Sequence, residues 1–237
     1  MIRPIRALVL AAFLLPAGLA AQDVGPVDQA QKVRDALPKD VSDQIESIVQ
    51  SAAESGIPSG PLYDKALEGA AKRIPGPRIV PAVSAYADRL MTARSALGLT
   101  QERWIVAGAD ALSRGVSPDA LTRVAQDGRP GGPMSVVILG DLVESGVPAD
   151  HALEVVTEAV RTGQEEADMG AISGTVDRMI REGDAPPDAA KRLVRHMKRG
   201  LPVRRMRDVR PGLVRDRPGP PVAPGADANK KPRGPVG

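Results

Sequence analysis

Stripes of apolar residues at helical spacing, cut at intervals by a glycine with a proline close behind, constrain this chain more than any other feature. Val41, Ile45, Ile48, Val49 and Ala52 recur with a helical period, as do Ile79, Val83, Tyr86, Leu90 and Leu97. The pattern returns at Leu153, Val156 and Val160, at Met169, Ile172, Val176 and Met179, and at Ala190, Leu193, Val194 and Met197. Each stripe gives one apolar face with charged residues opposite, the signature of a helix that packs on a neighbour. No comparable run alternates with period two, and the β-branched stretch at 135–139 is too short to argue a sheet. The expectation is an all-α fold.

The breaks between stripes share a chemistry. They read Glu54-Ser55-Gly56-Ile57-Pro58, Ser113-Arg114-Gly115-Val116-Ser117-Pro118, Glu144-Ser145-Gly146-Val147-Pro148 and Arg181-Glu182-Gly183-Asp184-Ala185-Pro186-Pro187. Glycine closes a helix in the left-handed conformation, and proline at a first helical position needs no amide donor. Ser117 is placed to cap the helix that Pro118 begins, and Asp119, Asp150 and Asp188 fall in first turns where the helix dipole favours them. A fifth break, Gly98-Leu99-Thr100-Gln101-Glu102, offers Thr100 as the cap. Leu112, Leu142 and Ile180 precede these turns and Leu121, Leu153 and Leu193 follow, so antiparallel hairpins are expected to close around them. Gly115, Gly146 and Gly183 are 31 and 37 residues apart, which is hairpin-repeat spacing, whereas Gly56 to Gly115 is 59. The expected architecture is a set of antiparallel hairpins forming a short, irregular solenoid-like array.

The first residues give an address. Arg3 and Arg6 precede an apolar stretch at residues 7–15, Pro16 breaks it, and Gly18, Ala20 and Ala21 follow before Gln22-Asp23. Charge, short apolar core and small residues in that order form a secretory signal, and the core is short of the ~20 residues a membrane span needs. Residues 1–20 are therefore expected to be removed on export, leaving a soluble helical domain at 21–200 in the periplasm or outside the cell. The chain has no cysteine, so packing alone must hold it in an oxidising compartment.

Charge divides along the same lines. Lys and Arg total 32 against 29 Asp and Glu, a net of +3. Two arginines lie in residues 1–20, and residues 201–237 hold nine basic and three acidic side chains, so the part between carries −5. The C-terminal segment is interrupted by Pro211, Pro218, Pro220, Pro221, Pro224, Pro232 and Pro235 and has no aromatic residue. Such a segment buries too little apolar area to offset its conformational entropy, and residues 201–237 are expected to be disordered. Its cations Arg204, Arg205, Arg207, Arg210, Arg215 and Arg217 are the candidate contacts for an anionic surface, either a polymer or lipid head groups. The run Lys191 to Arg199 makes the last helix amphipathic and basic, able to lie on a membrane or to pack inward and leave its cations in water.

Residue types narrow the chemistry further. Past the signal only Tyr63, Tyr86 and Trp104 are aromatic, too few for a stacking platform, and Trp104 reads as a core residue. The two histidines are His151 and His196; His151 with Glu154 is a single pair short of a metal set, and His196 sits among cations. Ser173 lacks the glycine spacing of a nucleophile elbow. Asp127-Gly128-Arg129-Pro130-Gly131-Gly132 lacks the Lys-Ser/Thr of a phosphate loop, and Glu165, Glu166 and Asp168 read as a first helical turn. No catalytic residue, cofactor or metal is assigned. The sequence points to a non-catalytic scaffold that binds another envelope protein, or else to a binder of anionic polymer or membrane through the last helix and tail.

Overall fold

A computed structural model describes residues 26–127 and 131–206; the proposed signal and all but the first residues of the tail lie outside them. The described residues are helical throughout, with no strand. Twelve helices follow in order: α1 (Pro26–Ala36), α2 (Lys39–Glu54), α3 (Gly60–Ala71), α4 (Gly76–Leu97), α5 (Glu102–Ser113), α6 (Pro118–Asp127), α7 (Pro133–Glu144), α8 (Ala149–Arg161), α9 (Glu166–Met169), α10 (Ile172–Arg181), α11 (Pro186–Lys198) and α12 (Val203–Met206). None is long and apolar enough to cross a membrane.

The stripes read from the sequence are the buried faces. Val41, Ile45, Val49 and Ala52 of α2, Ile79, Val83, Leu90 and Leu97 of α4, and Leu193, Val194 and Met197 of α11 are all buried. Residues 135–139 lie inside α7. The chain divides into two compact units, one running through Ser113 with Ser117–Thr122 added, the other made of Arg114–Val116 and everything from Arg123 onward. In unit 1, α1 packs on α3, α2 on α4, and α4 against α3 and α5. The α4–α5 approach is close because Gly108 faces α4: a Cβ there would stand 2.8 Å from Ala93 Cβ and 2.9 Å from Leu97 Cδ1. In unit 2, α8 packs on α7 and α11, α10 on α7 and α11, and α12 on α9, α10 and α11.

Hydrogen bonds explain why the helices end where they do. At Gly56, Gly146 and Gly183 the glycine amide bonds three residues back, at 2.8, 3.0 and 3.0 Å. The next amide then reaches five residues back: Ile57 to Ala52, Val147 to Leu142 and Asp184 to Met179, at 3.0, 2.9 and 3.0 Å. This paired closure satisfies carbonyls that a helix end otherwise leaves open. Two further helices close identically without having been signalled by a Gly-Pro break. Gly163 closes α8, and Arg73 closes α3 with φ +54°, a left-handed conformation held by a residue with a Cβ.

The starts follow the sequence less closely. Pro118 and Pro186 do open α6 and α11, and the Ala120 amide bonds Ser117 Oγ at 3.2 Å. Pro148 instead stands just before α8, and Pro58 one residue further out from α3. Thr100 does not cap α5: the helix begins at Glu102, and the Trp104 amide is accepted by the Gln101 carbonyl. At the other end, order continues past Gly200. Gly200-Leu201-Pro202 repeats the turn chemistry of the earlier junctions, and Val203 and Met206 of α12 are buried.

Candidate functional site

Two surfaces that carry unpaired charge stand out, one in each unit. The first is an open groove of about 550 Å³ in unit 1, floored and walled by α3, α4 and α5. From α3 come Asp64, Lys65 and Glu68; from α4, one turn apart, Tyr86 and Arg89; from α5, Glu102, Val106, Asp110 and Ser113. The α5 residues recur at helical spacing, so one polar face of that helix runs the length of the groove while Trp104, Ile105 and Ala109 point into the core.

The α3 side of the groove is internally paired. Lys65 and Lys72 both hold Glu68, and their hydrogen bonds lower its carboxyl to about 2. Asp64 accepts from the Gln29 amide at 2.9 Å. On the α4 side, the Arg89 guanidinium lies 5.7 Å from the Tyr86 ring centroid, and its Nε is buried with no hydrogen-bond partner among the described residues. Burial, with the Asp110 charge adding to it and Arg89 opposing, pushes the Tyr86 hydroxyl up to about 12. Glu102 and Asp110 are different. Both are exposed on α5, and neither accepts a hydrogen bond or pairs with a cation among the described residues. The groove therefore presents two uncompensated carboxylates two turns apart, beside an aromatic wall.

The second surface is the last part of unit 2. The apolar face of α11 is packed on α8 and α10, so of the two expectations for this helix the inward-packed one is observed. Some of its cations are paired: Arg192 with Asp184 at 2.7 Å, and Lys198 with Glu154 at 3.3 Å. Lys191, Arg195 and Arg199 are exposed and have no acidic partner among the described residues.

The six arginines picked out as anion contacts meet different fates. Arg204 is engaged within the protein: its amide bonds Asp168 Oδ1 at 2.8 Å, and its guanidinium reaches Asp168 and Glu165 at 3.1 and 3.0 Å. Asp168 is buried, which pushes its carboxyl up, yet the Arg204 amide and guanidinium outweigh burial and hold it below its ordinary range. Arg204 is thus a clamp for α12 on α9 and not a free contact, and Glu165 and Asp168 are its acceptors. Arg205 is exposed on α12. Arg207, Arg210, Arg215 and Arg217 lie outside the described residues.

Trp104 is 5% exposed, a core residue. Glu154, half of the His151 pair, is occupied by Lys198, and His196 Nε2 lies 3.0 Å from the Pro202 carbonyl oxygen. Among the described residues no group of three or more histidine and carboxylate side chains is arranged to hold a metal ion. Tyr86, counted from sequence in the apolar stripe of α4, is only half-buried and lines the groove; Arg89, Glu102 and Asp110 had no site role in the sequence reading. The four-residue steps along Glu102, Val106 and Asp110 were the available signal, but only tertiary packing joins them to α4 and α3.

No protein-family model, no curated protein and no solved structure matches the chain.

Proposed function

We propose that this protein is an exported, non-catalytic interaction scaffold of the cell envelope, and that unit 1 receives a basic segment of a partner protein in the α3–α4–α5 groove. The observation that carries this reading is the uncompensated pair Glu102 and Asp110 beside Tyr86. A lysine or arginine of the partner would gain charge-assisted hydrogen bonds from carboxylates that have no partner to release among the described residues. The Tyr86 ring would cover the apolar stem of that side chain, while its hydroxyl keeps its proton at any physiological pH. Export rests on the charge, apolar core and small residues of 1–20.

The test is affinity capture from envelope extract, using the chain without residues 1–20. Three forms are compared: native, ending at Met206, and carrying Glu102→Lys with Asp110→Lys. The reading expects one protein partner that is retained by the form ending at Met206 and lost with the two charge reversals. Capture that ignores the reversals, or that vanishes with residues 207–237, would overturn it.

A further inference from the structure

We infer that the solvent face of α11 is a docking strip for a linear polyanion, a polymer carrying a phosphate or carboxylate on each repeat. This surface belongs to unit 2 and stands independently of the groove in unit 1.

Lys191, Arg195 and Arg199 follow one another at four-residue steps, so they fall on one side of the helix. With a rise of 1.5 Å per residue, adjacent cations are about 6 Å apart along the axis and the strip is about 12 Å long. All three are exposed and none has an acidic partner among the described residues, although the same region neutralises others: Arg192 has Asp184, Lys198 has Glu154, Arg204 has Asp168 and Glu165. The nearest carboxylate left over on the helix is Asp188, in its first turn. The helix dipole accounts for cations in the last turn, such as Arg195, but Lys191 lies mid-helix, beyond its reach.

Two further observations choose the occupant. The apolar residues of α11 (Leu193, Val194 and Met197) are buried, so the helix has nothing to insert among lipid chains. A regular row of point charges on a helix whose apolar residues are buried is complementary to a chain of anions. Continuity supplies the rest. α12 packs on α11 and is clamped to α9 by Arg204 and Asp168. Arg205 is exposed on α12, and Arg207 and Arg210 come next in sequence.

The probe is long-chain inorganic polyphosphate, titrated against the chain lacking residues 1–20, with phosphatidylglycerol vesicles as a parallel arm. Each cation removed from a contact with a single-stranded polyanion lowers the salt slope by about 0.7, so Lys191→Gln, Arg195→Gln and Arg199→Gln together lower it by about 2. Between roughly 50 and 200 mM salt the native chain should therefore lose about twenty-fold more affinity than the triple variant. The triple variant should bind at least about tenfold more weakly at the lower salt, and Asp188→Asn should bind more tightly than native. The form ending at Met206 should keep measurable binding that the triple change abolishes. Unchanged melting of the triple variant, whose three side chains are exposed, excludes misfolding as the cause. The inference is overturned if the triple variant matches the native slope, if the form ending at Met206 loses all binding, or if vesicles are bound and polyphosphate is not.

Discussion

Replacing Arg73 by glycine should stabilise unit 1, while replacing Gly183 by alanine should destabilise unit 2. Both residues close a helix by the same pair of hydrogen bonds: Arg73 to Ala70 at 2.9 Å with Ile74 to Gly69 at 3.0 Å, and Gly183 to Ile180 with Asp184 to Met179, both at 3.0 Å. Arg73 holds φ +54° despite its Cβ; Gly183 sits at φ +109° without one. The Arg73 side chain is exposed and makes no hydrogen bond or ion pair among the described residues, so removing it sacrifices neither. A Cβ on Gly183 would meet no atom within 4 Å, so adding one creates no clash. Only the backbone is altered in each case. A left-handed residue with a Cβ costs about 1–2 kcal/mol. The greater entropy of glycine in the unfolded chain returns about 0.4–1 kcal/mol of that in the opposite sense. The net for Arg73→Gly is a gain of about 0.5–1 kcal/mol, and for Gly183→Ala a loss of about 1 kcal/mol. For units near a hundred residues these are shifts of roughly 4–8 °C per kcal/mol, upward for the first and downward for the second. Fluorescence of Trp104 reports unit 1, and helical circular dichroism follows both units. Equal signs for the two changes, or no shift at Arg73, would refute the account of how these helices end.

Other consequences follow from named contacts. Asp168→Asn should cost unit 2 about 1–2 kcal/mol, because it weakens the bonds from Arg204 to a buried acceptor. The native Asp168 carboxyl titrates below its unfolded value, so its contribution is present above that value and is lost as pH falls through the folded one. The difference between native and Asp168→Asn in urea melts should therefore be full at neutral pH and close below about pH 4. Spectroscopic alkali titration should show Tyr86 ionising near 12, and native stability should fall as pH rises from the unfolded tyrosine value of about 10 towards that point. Leu142→Ala, at a fully buried site of α7, should cost about 2–5 kcal/mol in denaturant unfolding. Gly108→Val should separate α4 from α5, lowering the melting transition seen by Trp104, since even a Cβ there overlaps Ala93 and Leu97.

What was legible in the sequence follows from how local its causes are. The stripes of α2, α4, α8, α10 and α11 and the glycines at 56, 115, 146 and 183 depend on neighbours a few residues away, so spacing alone exposed them. Helices α1 and α3 were harder. The core face of α3 includes Pro61, Ala66 and Gly69, small residues with little hydropathic signal. Arg73 performs a glycine's task and so gave no warning. The tail boundary was set too early because proline and arginine density outweighed the two-residue anchor Val203 and Met206, whose worth lies in contacts with α9, α10 and α11. Likewise, Arg204 meets Asp168 across 36 residues of chain, and Tyr86 faces Asp110 only because α4 and α5 pack together. Spacing reveals faces; it does not reveal which faces meet.

The proposal that unit 1 is a docking body is tested most directly by hydrogen exchange, on the chain without residues 1–20, with and without the protein it captures from envelope extract. The account predicts slowed exchange concentrated at 61–68, 86–89 and 102–113, absent when Glu102 and Asp110 are reversed to lysine. Protection confined to 186–206, or none in α3, α4 and α5, would contradict it.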